Sequence, residues 1–453
     1  MAELSRRSTV RIGFALGIVV GLVFLGASFV TAGESATSAA KDQSDLSMDE
    51  RDQIAPPTEN ITVVAGQGFG DQPGDAITAF RPNGTLLRYN NTYDEYHDVD
   101  PVEGTSHTVL YVAANHVGKD ACGATTKCTI SVIEEMNLST GETTRLHRSV
   151  APRRVGDNTH DVDRIDEDRL LVADIAYDRV FVLNETTEEI EWEWEAQTDF
   201  PISGGGPYPE DWTHVNDVEV LPDGRFMVSL RNQDQVVFLE QGTGLLENQT
   251  LGAENDYDVL YEQHNPDYIP ESRGGPAVLV ADSENDRIVE YQREDGGWEQ
   301  TWEWSDGEAD WPRDADRLPN GNTLIVDSNG GRVLEVNQSG DIVWQIESKS
   351  VYDAERFETG DESTGGESAK SLGLESVSIT RTESPTMSQR VRSVLPHEIN
   401  GAVGFVKPIW MSFSDVVVSV GILGLVLSWA GMELWIRRHS VVVRSPISIR
   451  ESR

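Results

Sequence analysis

Cysteine is almost missing from this 453-residue chain: Cys122 and Cys128 are the only two, within Cys-Gly-Ala-Thr-Thr-Lys-Cys. The five intervening residues suit a small loop disulfide, a bond that persists in an oxidising compartment. A zinc centre would have to draw on the nearby His107 and His116. Basic residues are scarce, 36 Lys and Arg against 77 Asp and Glu, for a net charge of −41. Such a surface repels polyanions, so no nucleic-acid partner is expected. No repeated Asp-x-Asp-x-Asp-Gly loop is present, and no cofactor-pocket signature is visible, so neither metal nor cofactor is expected. No unit carries the 3.6-residue apolar spacing of a helical solenoid. The composition is not that of a disordered chain, because hydrophobic residues make up 38% and 11 are Trp. The acidic excess fits a halophile protein, since in molar salt screening contracts to about 3 Å and dense carboxylates stay soluble.

What is present at the ends are two apolar runs. Residues 12–32 are uncharged, of membrane-spanning length, and preceded by Arg6, Arg7 and Arg11. The expectation is an uncleaved anchor. The alternative is a cleaved signal peptide, whose apolar core is usually about 7–15 residues. A second run, about 416–435, contains one charge, Glu433, and is followed by Arg437, Arg438, Arg444 and Arg450. Positive flanks on both sides place both ends inside and residues 33–414 outside, at the cell membrane with the folded part on the extracellular face. Sequons at Asn60, Asn83, Asn90, Asn137, Asn184, Asn248 and Asn337 agree with a glycoprotein. The expected organisation is a tail at 1–11, an anchor or signal segment at 12–32 and an acidic linker at 33–58. A repeat domain at 59–358 follows, then a linker at 359–414, a membrane helix at 415–436 and a basic tail at 437–453.

Laid against itself, the middle of the chain repeats. One unit reads His160-Asp-Val-Asp-Arg-Ile, Leu170-Leu-Val-Ala-Asp, Arg179-Val-Phe-Val-Leu and Ile190-Glu-Trp-Glu-Trp. Equivalent starts at 97, 160, 216, 264, 313 and 352 are spaced by 63, 56, 48, 49 and 39 residues. Each unit holds four short β-branched or alternating runs, separated by turns such as Pro222-Asp-Gly and Pro319-Asn-Gly. Four strands at this period is a propeller blade, and six starts give an all-β, six-bladed β-propeller. The last unit lacks outer strands, which Ile77-Thr-Ala-Phe and Thr85-Leu-Leu-Arg-Tyr can supply. The ring is therefore expected to be closed by N-terminal strands and flanked by transmembrane helices at both ends.

Residues that open each unit converge near the propeller axis although they are about fifty apart in sequence. His97, His160, His214 and His264 mark such openings, and Arg231 follows the second strand of the His214 unit. Repetition favours a structural role for His97, for Asp163, Asp267 and Asp316, and for the pairs Trp192/Trp194 and Trp302/Trp304. His214 and Arg231 depart from the repeat. Imidazoles beside an Arg suit a tetrahedral anion such as sulfate or phosphate: the guanidinium binds two oxygens, one His attacks and others move protons.

On Thr213-His214-Val-Asn, Arg231 after the next strand, and Gln263-His264, the sequence over about residues 60–358 resembles the bacterial arylsulfotransferases that need no nucleotide sulfate donor. The organisation resembles a haloarchaeal member. The resemblance implies a six-bladed propeller in which a channel histidine is transiently sulfated. His264 would be the nucleophile, with His214 and Arg231 on sulfate oxygens and His160 as a sulfate ligand or proton donor. The donor would be an aryl sulfate and the acceptor a phenol, in ping-pong order. The units are shorter than the family's, Arg313 stands where other units have His, and no aryl-binding insertion is visible. The alternative is a non-catalytic surface propeller, whose histidines would turn into blade contacts and whose channel would fill with Trp and Leu.

Overall fold

The computed structural model describes residues 2–31, 36–67, 76–154, 156–348, 350–360, 362–378 and 411–440, with single positions 391, 403, 407 and 408. The expectations for the basic tail and for most of the second linker fall on residues 441–453 and 379–410, largely outside the described residues. Two compact units form, one made of strands and one of terminal helices.

The strand unit is a six-bladed propeller. Three early strands, β1 (Thr62–Gly66), β2 (Ile77–Phe80) and β3 (Leu86–Asn90), share a sheet with the last strand, β25 (Val351–Arg356). The other blades run from β4 (Glu95–Pro101) to β7 (Thr143–Pro152) and from β8 (Thr159–Arg164) to β11 (Glu189–Glu195). They continue from β12 (Val215–Val220) to β16 (Leu251–Gly252), from β17 (His264–Ile269) to β20 (Gly297–Trp304), and from β21 (Pro312–Arg317) to β24 (Ile342–Glu347). The innermost strands β4, β8, β12, β17, β21 and β25 pack in that order, and β25 packs on β4. Antiparallel pairing of Val63 with Glu355 and Val64 with Ala354 joins β1 to β25.

The sequence drives this arrangement locally and between blades. Pro-Asp-Gly and Pro-Asn-Gly place Gly224 (φ 86°) and Gly321 (φ 82°) in the left-handed backbone that these tight turns require. Apolar faces of neighbouring blades then close on each other. Leu171, Val180 and Trp194 meet Val218 and Val228, while Ile269, Leu279, Trp302 and Trp304 meet Ala315 and Ile325. The repeated tryptophans are therefore packing residues, Trp304 being 1% exposed.

Around the axis, acidic residues of one innermost strand accept backbone N–H groups of the next. Val162 N–H donates to Asp98 at 3.3 Å, Val218 N–H to Asp161 at 2.6 Å and Val220 N–H to Asp163 at 2.5 Å. Tyr268 N–H donates to Glu219 at 2.7 Å and Val99 N–H to Asp353 at 2.8 Å. The repeating Asp-x-Asp is thus an inter-blade clamp, each bond worth about 0.5–3 kcal/mol, the upper end applying where the carboxyl is ionised.

Two further features lie in sequence stretches without a repeat. Within the stretch expected to be a linker, α2 (Ala36–Ser44) buries Ala36 and Ala40, and Ala36 packs with Val64, Phe80 and Trp344. Cys122 and Cys128 are disulfide-bonded.

The second unit pairs α1 (Ala2–Thr31) with α3 (Phe413–Ser440), and each contains a span long and apolar enough to cross a bilayer, Ser8–Phe29 and Phe413–Arg438. The helices run antiparallel. Arg11 ion-pairs with Glu433 at 2.5 Å, Phe14 stacks on Trp429, and Ser28 donates to Asp415 at 2.8 Å. Gly17 and Gly21 sit against Leu425 and Ile422, where an added Cβ would be only 3.0 and 2.7 Å from the facing side chain, a close approach that small residues permit.

Candidate functional site

The six repeat starts fall at one position of each innermost strand, so His97, His160, Asn216, His264, Arg313 and Tyr352 form a tier around the axis. In five of these strands the ladder register shifts across this residue, between Tyr96 and Asp98, Thr159 and Asp161, Val215 and Asp217, Pro312 and Asp314, and Val351 and Asp353. Such irregularities release a residue from pairing and re-aim its side chain, here toward the channel. The rings of His97 and His160 are 4.4 Å apart, His160 and Tyr352 4.9 Å, and His264 and Tyr352 6.1 Å.

Two residues before the tier, four blades place a non-glycine residue in left-handed backbone: His214 (φ 47°), Glu262 (φ 46°), Trp311 (φ 56°) and Ser350 (φ 58°). This conformation costs about 1–2 kcal/mol for an L-residue. It is held by carboxylates of the preceding blade: Glu262 N–H donates to Asp234 at 3.0 Å and Trp311 N–H to Asp286 at 2.9 Å. The departure of His214 from the repeat, two residues before Asn216, is this turn. Arg231 follows Leu230, which stands where other blades carry the Asp of an Asp–Arg pair, as in Asp174–Arg179, Asp282–Arg287 and Asp327–Arg332.

These elements enclose a cavity of about 620 Å³, and His160, His214, Arg231 and His264 all line it, together with Arg313, Tyr352 and Trp311. The four residues singled out in the sequence are therefore brought together. His97 is not among the lining residues; it is fully buried, with Gln67 3.2 Å from its Nδ1 and Asn158 2.8 Å from its Nε2.

Hydrogen bonds fix each imidazole. His264 Nδ1 is 2.8 Å from Ser283 Oγ and 3.1 Å from the Glu262 carbonyl, a pair of acceptors that places the proton on Nδ1 and leaves a lone pair on Nε2. His214 donates from Nδ1 to Asp211 at 2.6 Å and accepts at Nε2 from Arg231 at 3.1 Å, while Arg231 also pairs with Glu262 at 2.9 Å. His160 Nδ1 donates to the Asn216 carbonyl at 3.1 Å, with the Tyr352 hydroxyl 3.3 Å away. Arg313 lies over the rings of Trp311 and Tyr352 and donates to Gln67 at 2.7 Å. The Nε atoms of Arg231 and Arg313 are buried without a partner.

The electrostatics follow from burial among cations. Burial holds the His264 imidazolium well below its ordinary range, and Arg313, Arg231 and His214 push it lower. Burial, then His97, His214 and His264, does the same to His160. His214 is lowered by burial and Arg231 despite Asp211. Burial opposes the Asp211 carboxylate, yet His214 and Arg231 hold it at about 2. Burial brings Arg313 down to about 10 and pushes the Tyr352 hydroxyl well above its usual value. At neutral pH the part of the cavity around His264 holds neutral imidazoles, a protonated phenol and the guanidiniums of Arg231 and Arg313 with unused N–H donors, while Arg153, Arg154 and the carboxylates of Glu95, Asp157, Glu210 and Asp211 line the rest. The inner part suits an anion.

Sequence reasoning missed Tyr352, Ser283 and the contribution of Arg313. Tyr352 and Arg313 were visible as repeat starts whose type departs from His. Ser283 follows Asp282 at the position that Arg231 occupies one blade earlier, and only the fold shows the equivalence.

The family model described as "Arylsulfotransferase (ASST)" matches residues 58–307, more than half of the chain, and ends before Arg313 and Tyr352. No curated protein matches. Solved structures similar to this chain include a protein of unknown function from Bacteroides caccae, 13% identical with a TM-score of 0.44, covering 65% of this chain and 97% of that one. The periplasmic gluconolactonase of Pseudomonas aeruginosa is 15% identical with a TM-score of 0.42, covering 66% of this chain and 99% of its own. A virginiamycin B lyase from Staphylococcus aureus is 8% identical with a TM-score of 0.40, covering 65% and 87%.

Proposed function

The chain belongs to the arylsulfotransferase family, and we propose that it moves a sulfuryl group from an aryl sulfate to a phenol by way of a sulfohistidine at His264. The observation that carries this reading is the bare Nε2 of His264 in the same cavity as the orphaned Nε donors of Arg231 and Arg313. The alternative surface module needs histidines turned into blade contacts, whereas three of the four line the cavity.

In the first half-reaction the Nε2 lone pair attacks sulfur and the bond from sulfur to the aryl oxygen breaks, its electron pair leaving on the phenolate. Arg231 and Arg313 hold the sulfuryl oxygens, His214 orients Arg231, and the developing charge meets donors already in place. Tyr352 donates a hydrogen bond to the departing oxygen, which takes its proton from water as the product leaves. In the second half the acceptor oxygen attacks sulfur, the nitrogen–sulfur bond breaks back onto Nε2, and the acceptor's proton passes to water. His160, held neutral with its Nδ1–H committed to Asn216, serves as a wall and polar contact for the sulfuryl group.

In this reading the sheet that joins β25 to β1–β3 closes the ring. The terminal helices anchor the chain with the propeller outside the cytoplasm, and the disulfide and flanking arginines support that placement. The charge of −41 supports work in high salt. The test is phenol release from a chromogenic aryl sulfate in molar salt. Release should need an acceptor phenol and vanish in His264→Ala with the fold retained by circular dichroism. Equal release by both proteins would remove His264 from the chemistry.

A further inference from the structure

Further along the same channel, the tier of acidic residues that clamps the blades changes character. At four of the six inter-blade steps a carboxylate accepts a backbone N–H, through five such bonds. Asp267, Asp314 and Asp316, on β17 and β21, depart from that pattern. They are 0%, 3% and 2% exposed. Each can present a carboxylate oxygen within 4.8 Å of those of the other two. Neither oxygen of Asp316, nor Oδ2 of Asp314 or Oδ1 of Asp267, accepts from an N–H or hydroxyl group. Asp267 Oδ2 is occupied by the hydroxyl of Ser363, 2.6 Å away in the short helical turn Glu362–Gly365, and Ser363 in turn accepts from Arg317 N–H at 2.7 Å.

Four orphaned carboxylate oxygens at this density need a compensating charge. Of the nearby guanidiniums, Arg317 pairs with Glu290 at 3.0 Å and Arg356 with Glu335 at 2.7 Å; both keep further N–H groups unpaired, and neither donates to these oxygens. Burial, then mutual repulsion, holds Asp267 and Asp314 well above the carboxylate range. Burial brings Asp316 to about 7, eased by Asp267 and Arg356. Unpaired buried anions are costly, whereas a hard cation with a flexible shell of six to eight oxygens takes carboxylates alone and completes itself with water.

We propose that Asp267, Asp314 and Asp316 bind a divalent cation of the calcium type in the propeller channel. The ion replaces the missing clamp between the blades that begin with β17 and β21. It also ties down the residue beside Arg313 and the strand that carries His264, so it sets the floor of the histidine cavity.

The experiment uses the full chain in detergent, stripped with a chelator and dialysed against Ca²⁺ in molar NaCl, where weak binding to exposed carboxylates is screened. Bound calcium is measured by elemental analysis and the melting temperature with and without Ca²⁺. The wild type should retain one ion per chain and melt higher by about 5 °C or more at saturating Ca²⁺. Asp316→Asn should fold, since it removes a repelling charge, but should lose both the ion and the Ca²⁺-dependent rise. Calcium retained equally by Asp316→Asn would overturn the site. So would a wild type that retains no Ca²⁺ and whose melting temperature is indifferent to it.

Discussion

The Nδ1 of His264 lies 2.8 Å from the Oγ of Ser283, whose own proton is committed to the Pro312 carbonyl at 2.6 Å. That hydroxyl can therefore only accept, and the imidazole is fixed with its hydrogen on Nδ1 and its lone pair on Nε2. Ser283 touches neither substrate nor leaving group in the proposed reaction; it is a positioning residue.

Removing it should lower kcat by about tenfold, the worth of one hydrogen bond, with KM little changed. Steady-state kinetics of Ser283→Ala against wild type check this. A rise in KM with kcat intact would assign Ser283 to substrate binding.

The acid side of the pH profile reports His264. Its conjugate acid is held well below the ordinary value of 6.5 by burial and the guanidiniums, so the reactive neutral form persists as pH drops. The first half-reaction, followed as a burst of phenol, should stay flat from pH 8 through 6.5 and fall only at lower pH. On the alkaline side it should decline near 10, where Arg313 loses its charge. An acid limb centred at or above 6.5 would contradict the neutral site.

Arg231 presents a planar fork that meets His214 and Glu262 while its Nε remains unused. Arg231→Lys keeps the charge but not the fork, and transition-state stabilisation should fall by about 10²–10³-fold in kcat/KM. Comparing Arg231→Lys with Arg231→Met separates geometry from charge: nearly equal losses are expected.

Tyr352→Phe distinguishes a hydrogen-bond donor to the leaving oxygen from a packing residue. Loss of the hydroxyl should slow aryl sulfates with poor leaving groups far more than nitrophenyl sulfates, steepening the dependence of rate on leaving-group acidity. A uniform loss across the series would assign Tyr352 to packing.

How much of this was legible in the sequence depended on whether the repeat carried the signal. Six blades could be read because each inner strand reuses the same text, and the starts at 97, 160, 216, 264, 313 and 352 turned out to be one tier of the channel. Helix α2 was not legible, because Ala36 and Ala40 become apolar contacts only once blade surfaces exist to receive them. The recurring sequons have a local cause: Asn83, Asn90, Asn137, Asn184 and Asn337 each accept the backbone N–H two residues on, so Asn-x-Ser/Thr is turn chemistry after a strand. Ser283 and the unclamped Asp316 were hidden for the opposite reason. Each looks like one more copy of the repeat, and only its partners, or their absence, set it apart.

The central claim is that sulfur is bonded to His264 between two half-reactions. Protein mixed with an aryl sulfate and no acceptor, quenched in alkali where phosphoramidate-like N–S bonds survive, should carry one SO₃ on the peptide containing His264, and should lose it on adding phenol. Continued turnover with no such adduct, or an adduct on another residue, would contradict the account.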